Sequence, residues 1–202
     1  LAEKYGALVM VDDAHSLGVL GREGRGTADH FGLTDKVDII MSTFSKSLAS
    51  VGGFVAGSRQ MIDYLMHHSR PLIFSASIPP SAAAAALAAL EIIEEEPERL
   101  EALWDNTAYV ANAIREIGFD TGTAETPIIP IYIRDNHLTF QFTQRLFEEG
   151  IFVNPVVSPA VRSDASMVRM SIMATHSRWQ LDEAIGAIER VASELQVFAL
   201  KQ

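Results

Sequence analysis

The chain has 202 residues, 48% of them hydrophobic and 21% charged, and its formal net charge is −10 at pH 7. This length is enough to bury the core of one large domain or two small ones. The acidic balance argues against a nucleic-acid partner, whose phosphates need a basic face. The absence of cysteine excludes disulfide bonds and thiolate metal sites. No apolar run reaches the roughly 20 residues that a membrane-spanning helix needs.

The first residues predict the end of a helix that leads directly into a strand. Residues 1–5 have helical character and Gly6 is a stop signal. The run "ALVMVDDA" is continuously apolar and ends in carboxylates, which is typical of a strand buried on both faces of a parallel sheet. Domains rarely begin inside such a unit, so we expect the chain to be the C-terminal part of a longer protein.

The rest of the first half continues the α/β pattern. A glycine-rich loop precedes two more predicted strands, "VDIIMSTFS" and "GGFVAG". Residues 58–69 have helical spacing, with Ser58 as the predicted N-cap. A long helical region follows at about residues 80–117, and Pro97 predicts a break within it.

The second half has the order of a small α+β domain. The predicted elements, in order, are a strand at 128–133, a helix at 136–150, an extended segment at 151–161, a strand at 166–174 and an amphipathic helix at 177–198. We therefore predict two domains: residues 1–96 belong to a large α/β domain, and residues 97–202 form the small α+β domain.

Polar side chains follow the first two predicted strands at the points where they end. They are Asp12, Asp13 and His15 after one strand, and Thr43, Ser45 and Lys46 after the next. The carboxyl ends of parallel strands meet at one sheet edge, so an acid, an imidazole, two hydroxyls and an amine converge there. Pyridoxal phosphate requires a lysine, a carboxylate for its ring nitrogen, and donors for its phosphate.

Taken singly, these residues also fit ordinary structural roles. Asp12 fits a helix cap or a loop residue, His15 a loop histidine, and Lys46 a surface lysine. It is their combination that favours the cofactor site.

The motifs "VDDAHSLGVLGREGRG" and "TFSKSLASVGGFVAG" resemble those of the α-oxoamine synthase family of pyridoxal-phosphate enzymes. The resemblance runs from Leu1 to the last helix. It implies the C-terminal part of a fold type I transferase, the aspartate aminotransferase-like fold, and a reaction that joins an amino acid to an acyl-CoA with loss of carbon dioxide.

The resemblance also implies roles for individual residues. Lys46 resembles the lysine that forms a Schiff base with the cofactor, Asp12 the partner of the ring nitrogen, and His15 the residue beside the phenolic oxygen. Thr43 and Ser45 resemble phosphate contacts. Two further positions are Ser75, which resembles a contact to the phosphate of a neighbouring subunit, and Arg169, which resembles the arginine that receives the substrate carboxylate.

Chemistry supports Arg169 for that role, because a planar guanidinium suits a carboxylate better than an ammonium does. The alternating strand around it lets Arg169 face a cleft while Val168 and Met170 face the other way. A surface ion pair is the alternative. Some family members carry an arginine in the loop matching "NPVVSPAV", which here has none before Arg162.

Among the family, "SKS", "GGF" and "RPLIFSASIPP" most resemble the members that condense L-serine with a long-chain acyl-CoA. Their product is 3-oxosphinganine, and the reaction is the first step of sphingolipid synthesis. Two alternatives stay open: another substrate pair, such as glycine with acetyl-CoA or alanine with a pimeloyl thioester, and a non-catalytic fragment that lacks the N-terminal part of the site.

The resemblance further implies a homodimer with a shared active site. We expect a cytoplasmic location, with peripheral contact to the inner membrane because the product is a lipid. We predict no metal site, because His30 beside Asp29 has no second histidine at ligand spacing. We expect His67 and His68 to lie on a surface or interface. Three further expectations are a structural cap for His176 and core positions for Trp104 and Trp179.

Overall fold

The structure is a computed structural model that describes residues 1–198. Its backbone forms two compact units, Leu1–Leu100 and Glu101–Gln202, the second described as far as residue 198. The domain division after residue 96 stays a prediction. Among the described residues, no helix combines the length and apolar character needed to cross a membrane.

The first unit combines three short strands with helices on either side of them in the sequence. Its elements are α1 (Ala2–Tyr5), β1 (Met10–Asp12), α2 (Thr27–His30), β2 (Ile39–Thr43), β3 (Gly53–Gly57), α3 (Arg59–His68), α4 (Arg70–Ile73) and α5 (Pro80–Glu95). Gly6 ends α1 with φ of 61°, in the left-handed region that suits glycine. The Ser58 side chain accepts a hydrogen bond from the Met61 backbone N–H, which confirms the predicted N-cap of α3.

The strands of this unit form one sheet in the order β1-β2-β3. β1 runs parallel to β2, with Asp12 opposite Met41, whereas β2 and β3 form an antiparallel hairpin. The prediction that the first strand is buried on both faces is wrong, since Met10 is 59% exposed and Leu8 69%. β1 lies at the edge of the sheet, and an apolar run does not reveal which of its faces other elements cover.

The second unit joins three helices to a second sheet. Its elements are α6 (Glu98–Glu116, within this unit from Glu101), β4 (Ile128–Tyr132), α7 (Asn136–Glu148), β5 (Asn154–Val156), β6 (Met167–Ser171) and α8 (Arg178–Glu194). α5 ends at Glu95 and α6 begins at Glu98, so the break predicted at Pro97 is confirmed. The predicted element order of this half is also confirmed.

The sheet of the second unit is antiparallel throughout, in the order β4-β6-β5. Alternate residues of the strands face a closed core together with apolar residues of the helices. The fully buried members of that core include Ile129 and Ile131 from β4, Val168 from β6, Phe142 and Leu146 from α7, and Ile188 and Val191 from α8. The opposite residues of β6, among them Arg169, are directed away from this core.

Candidate active site

The two carboxylates at the end of β1 have different environments. Asp12 is exposed, and its Oδ1 accepts a hydrogen bond of 2.9 Å from the backbone N–H of Ala14. Asp13 is only 2% exposed and accepts hydrogen bonds from the hydroxyl of Ser16 and from the backbone N–H of Thr27, the latter at 3.0 Å. Asp12 is therefore the acid that can meet a ligand, and Asp13 is a structural residue.

Asp13 organises the glycine-rich loop that follows β1. A Cβ added to Gly26 would overlap the Asp13 carboxylate, and Gly26 has φ of 102°. Both facts require glycine at that position. The backbone N–H of Asp13 also donates to the Met41 carbonyl at 2.7 Å, so the loop begins at the point where β1 meets β2.

Lys46 lies in the tight connection between β2 and β3. The connection is closed by backbone hydrogen bonds from Phe44 N–H to the Gly52 carbonyl, at 2.9 Å, and from Ser50 N–H to the Phe44 carbonyl, at 2.8 Å. Leu48, in the middle of the connection, is fully buried and anchors it. A lysine on a connection held this firmly keeps its backbone position while its side chain reaches outward.

Lys46 and its neighbours Thr43 and Ser45 supply an amine and two hydroxyls at the end of β2. The Ser45 hydroxyl donates to the Thr43 hydroxyl at 3.3 Å, and Lys46 itself is exposed. Within residues 1–198, the Lys46 amine has no hydrogen-bond or ion-pair partner. Thr43 also lines a cavity of about 590 Å³ between the β2–β3 hairpin and the two helices that follow it.

The glycine pair before β3 is explained by contacts within the chain. A Cβ on Gly52 would lie 2.8 Å from Ile78 Cγ2 and 3.1 Å from Phe44 Cδ2, and one on Gly53 would lie 2.6 Å from the Ser42 carbonyl oxygen. Side chains at these positions would push the hairpin apart. The pair thus keeps the lysine-bearing connection close to β2.

The remaining predicted residues of the first unit are placed on its surface. His15 is exposed on the turn that follows Asp12. Ser75 is exposed in the bend between α4 and α5. His67 and His68 are exposed at the end of α3, as expected.

Arg169 occupies the central strand of the second sheet. It lies opposite Pro130 of β4 and Asn154 of β5, whereas its neighbours Val168 and Met170 are buried in the core. The predicted alternation is confirmed. Among the described residues, its buried Nε has no hydrogen-bond partner. An unpaired buried guanidinium nitrogen is costly, so it marks a position where an external acceptor would be stabilising.

Arg169 lines a cavity of about 660 Å³ within the second unit, together with Asn154, His176 and Trp179. The sequence did not single out Asn154, because the register that sets it beside Arg169 is not visible in a linear pattern. The core position expected for Trp179 is wrong: the side chain is 70% exposed. Trp104 is partly buried.

The cap expected at His176 is also wrong. The N-cap of α8 is Ser177, which forms a reciprocal capping box with Gln180. His176 instead accepts a hydrogen bond at Nδ1 from the Met173 backbone N–H, at 3.2 Å. Asn106 fastens the same turn by donating to the carbonyls of Met173 and His176, at 3.2 and 3.0 Å.

Asp29, the acid beside His30, forms an ion pair with Arg22. Asp29 accepts from the Arg22 guanidinium at 2.9 Å and from the Arg22 backbone N–H at 2.7 Å, and these bonds hold the pKa of the Asp29 carboxyl below its usual value. Across residues 1–198, no group of three or more histidine, aspartate or glutamate residues has the arrangement of a metal site.

With this geometry in place, comparisons with known proteins identify the family. A family model for aminotransferase class I and II matches residues 1–188, and the chain belongs to this family. The chain is 56% identical over 200 residues to serine palmitoyltransferase of Sphingobacterium spiritivorum, covering 99% of this chain and 50% of that protein. It is 47% identical over 195 residues to 8-amino-7-oxononanoate synthase of Symbiobacterium thermophilum, covering 96% and 50%.

Solved structures give the same result. Sphingomonas wittichii serine palmitoyltransferase superposes with a TM-score of 0.92 at 32% identity, over 97% of this chain and 50% of that one. A structure of SPT with PLP gives the same TM-score at 33% identity, with the same coverage of both chains. The predicted α-oxoamine synthase resemblance and the fold type I class are confirmed, and the chain spans about half the length of the curated relatives it matches.

Proposed function

We propose that this chain carries the lysine-bearing part of the active site of a pyridoxal-phosphate acyltransferase that condenses L-serine with a long-chain acyl-CoA, such as palmitoyl-CoA. The products are 3-oxosphinganine, carbon dioxide and coenzyme A, as in the first step of sphingolipid synthesis. The observation that carries the proposal is the strand-end cluster of Asp12, Thr43, Ser45 and Lys46, in a chain 56% identical to a serine palmitoyltransferase.

The chemistry of this cluster fits the cofactor. Asp12 is an exposed carboxylate that would hold a ring nitrogen in its protonated form, and Thr43 and Ser45 are hydroxyl donors for a phosphate. His15, exposed on the next turn, would lie beside the phenolic oxygen. Lys46 presents an exposed amine for the aldehyde carbon. Pyridoxal 5'-phosphate, when bound, supplies a ring that withdraws electrons from the Cα of the amino acid.

The remaining steps belong to side chains of this chain. Arg169 binds the carboxylate of L-serine, and its fork fixes the direction of the bond that breaks. The released Lys46 amine takes the proton from Cα, after which Cα forms a bond to the acyl carbon as coenzyme A leaves. Carbon dioxide then leaves from the former serine carboxyl group, and a proton returns to Cα.

The assembly proposed for the enzyme is a homodimer. Ser75 is exposed in the bend between α4 and α5, where it is available to the phosphate of a neighbouring subunit. We place the enzyme in the cytoplasm, with peripheral contact to the inner membrane through its lipid product.

A second candidate is the same chemistry with other substrates, since a relative 47% identical to this chain is named 8-amino-7-oxononanoate synthase. Alanine with a pimeloyl thioester, or glycine with acetyl-CoA, would then replace serine and palmitoyl-CoA. A third candidate is a non-catalytic fragment, since the chain spans about half of its relatives.

A spectral titration separates these candidates. Full-length protein containing this chain is loaded with cofactor and titrated with L-serine, glycine and L-alanine while its visible absorbance is recorded. The proposal predicts a saturable change with L-serine at the lowest concentration, and Arg169→Gln should weaken it at least about tenfold. A response to glycine or alanine alone rejects the serine assignment. If the 202-residue chain by itself shows no cofactor absorbance, the non-catalytic fragment is supported.

A further inference from the structure

The cavity beside Arg169 is larger and more apolar than a small polar amino acid requires. Its volume of about 660 Å³ falls within the range of about 300–1,000 Å³ that is common for small-molecule sites. Phe152, Met173 and Trp179 contribute to its wall, and they are 75%, 53% and 70% exposed. Large apolar side chains grouped at one opening are a surface that an apolar ligand would remove from water.

The same cavity has polar donors on one wall. Arg169 contributes a buried Nε without a hydrogen-bond partner among the described residues, and Asn154 lies opposite it on β5. His176 accepts at Nδ1 from a backbone N–H, so its neutral ring carries the hydrogen on Nε2 and can donate there. These groups favour an anionic oxygen over a cation.

Two acidic residues on the cavity wall do not reverse this preference. Glu149 is paired with Arg190 at 2.7 Å, which offsets its charge. Glu183 is exposed, where water screens it. Among the described residues of this wall, the charge that is left unscreened and without a pairing side chain is that of Arg169, which is partly buried.

We infer that this cavity binds a carboxylate that carries an alkyl chain, that is, a fatty carboxylate. The head group pairs with Arg169 and the chain lies against Phe152, Met173 and Trp179. Binding requires neither Lys46 nor the cofactor, so it can fail while the proposed function holds. Where the proposed function also holds, such a ligand competes with L-serine for the guanidinium.

Tryptophan fluorescence tests the inference directly. The chain has two tryptophans, so Trp104→Phe leaves Trp179 at the cavity as the reporter. In the 202-residue chain we expect decanoate, below its micelle concentration, to give a saturable blue shift of Trp179 emission. Butyrate should bind far more weakly, because each methylene removed from water changes affinity roughly fourfold. Decyltrimethylammonium, with the same chain and the opposite charge, should bind at least about tenfold more weakly than decanoate.

Three variants in this background complete the test. Arg169→Gln should weaken decanoate binding at least about tenfold. Met173→Asp changes an exposed residue, so it should leave the fold intact and weaken binding by repulsion. Arg162→Gln, a matched exposed arginine paired with Asp164, should change nothing. Equal binding of the cationic amphiphile, or decanoate binding unaffected by both Arg169→Gln and Met173→Asp, would overturn the inference.

Discussion

The two units of the chain hold their shapes by different means. Residues 101–198 enclose a continuous apolar core in which Phe142, Ile188 and Val191 are fully buried. In residues 1–100 the buried apolar side chains are Ala14, Ala28, Leu48 and Ala86, whereas Met10 on β1 is 59% exposed. The first unit is organised by hydrogen-bonded loops around Asp13 and Phe44.

This difference bears on function. The candidate lysine and its neighbours lie in the unit with little core, whereas the candidate carboxylate-binding arginine lies on a sheet backed by a full core. Loop hydrogen bonds therefore hold the position of the candidate lysine in the first unit, and core packing holds the strand of the candidate arginine in the second. Substitutions in the core of the second unit should therefore lower its stability, whereas substitutions in the first unit should open its loops locally.

The largest effect on stability is expected in the second core. Phe142→Ala removes a fully buried ring, and we expect it to lower the free energy of unfolding by about 3–5 kcal/mol. The measurement is urea denaturation followed by circular dichroism. Phe147→Ala on the same helix is the control, since that ring is 65% exposed and its loss should cost less than about 0.5 kcal/mol. Equal costs for the two variants would contradict the closed core.

Leu48 provides the matching test in the first unit. Leu48→Ala should cost about 2 kcal/mol, at the low end of the range for buried leucines, because few buried neighbours surround the cavity that it leaves. Hydrogen exchange should show faster opening of residues 44–52 and little change in the second unit. Val51→Ala, 72% exposed in the same connection, should leave exchange as it was. A uniform rise in exchange across both units would mean that the two do not respond separately.

A smaller effect is expected from the glycine loop. Gly26→Ala introduces a Cβ that overlaps the Asp13 carboxylate, in addition to the strain of a positive φ. Gly32→Ala has a positive φ but nothing within 4 Å of the added Cβ, so it should cost only the backbone strain, about 1 kcal/mol. Thermal unfolding should show the larger loss for Gly26→Ala. If the two variants melted alike, Asp13 would not be the organiser of this loop.

The smallest effects concern pH, and they have opposite directions in the two units. The pKa of Asp29 is lowered by its hydrogen bonds to the Arg22 side chain and backbone, so its stabilisation is present above the ordinary carboxyl pKa and is lost as the pH falls through the lowered value. The pKa of Tyr109 is raised by its hydrogen bond to Asp182, so its contribution is present below the ordinary phenol pKa and is lost as the pH rises through the raised value.

Melting curves from acid to alkaline pH check this contrast. Asp29→Asn should flatten the acid side of the stability profile, and Tyr109→Phe should flatten the alkaline side. Absorbance of the ionised phenol should also show Tyr109 titrating at lower pH in Asp182→Asn. Unchanged profiles in both variants would show that neither bond contributes to the pH dependence.

Much of the fold could be predicted from the sequence. The break at Pro97, the cap at Ser58 and the strand–helix order of the second unit follow from local signals, which a linear pattern contains. The exposure of β1 did not follow, because burial depends on which elements pack against a strand. The exposure of Trp179 was missed for the same reason, since helical spacing does not say which face is covered.

For the candidate site, the sequence predicted where the main residues lie along the strands but not their contacts. Two motifs placed Asp12 and Lys46 at neighbouring strand ends, and the parallel pairing of β1 with β2 agrees with that placement. The structural role of Asp13 required the hydrogen bonds of the loop. Asn154 required the register of β5 against β6, and His176 the turn that Asn106 fastens.

Chemical labelling tests most directly whether Lys46 bears the cofactor. Full-length protein loaded with pyridoxal phosphate is reduced with borohydride, digested and mapped by mass spectrometry. We expect the pyridoxyl label on Lys46, with Lys36, which is paired with Glu3, unlabelled as an internal control. A label confined to another lysine, or an undiminished label in Lys46→Ala, would contradict it.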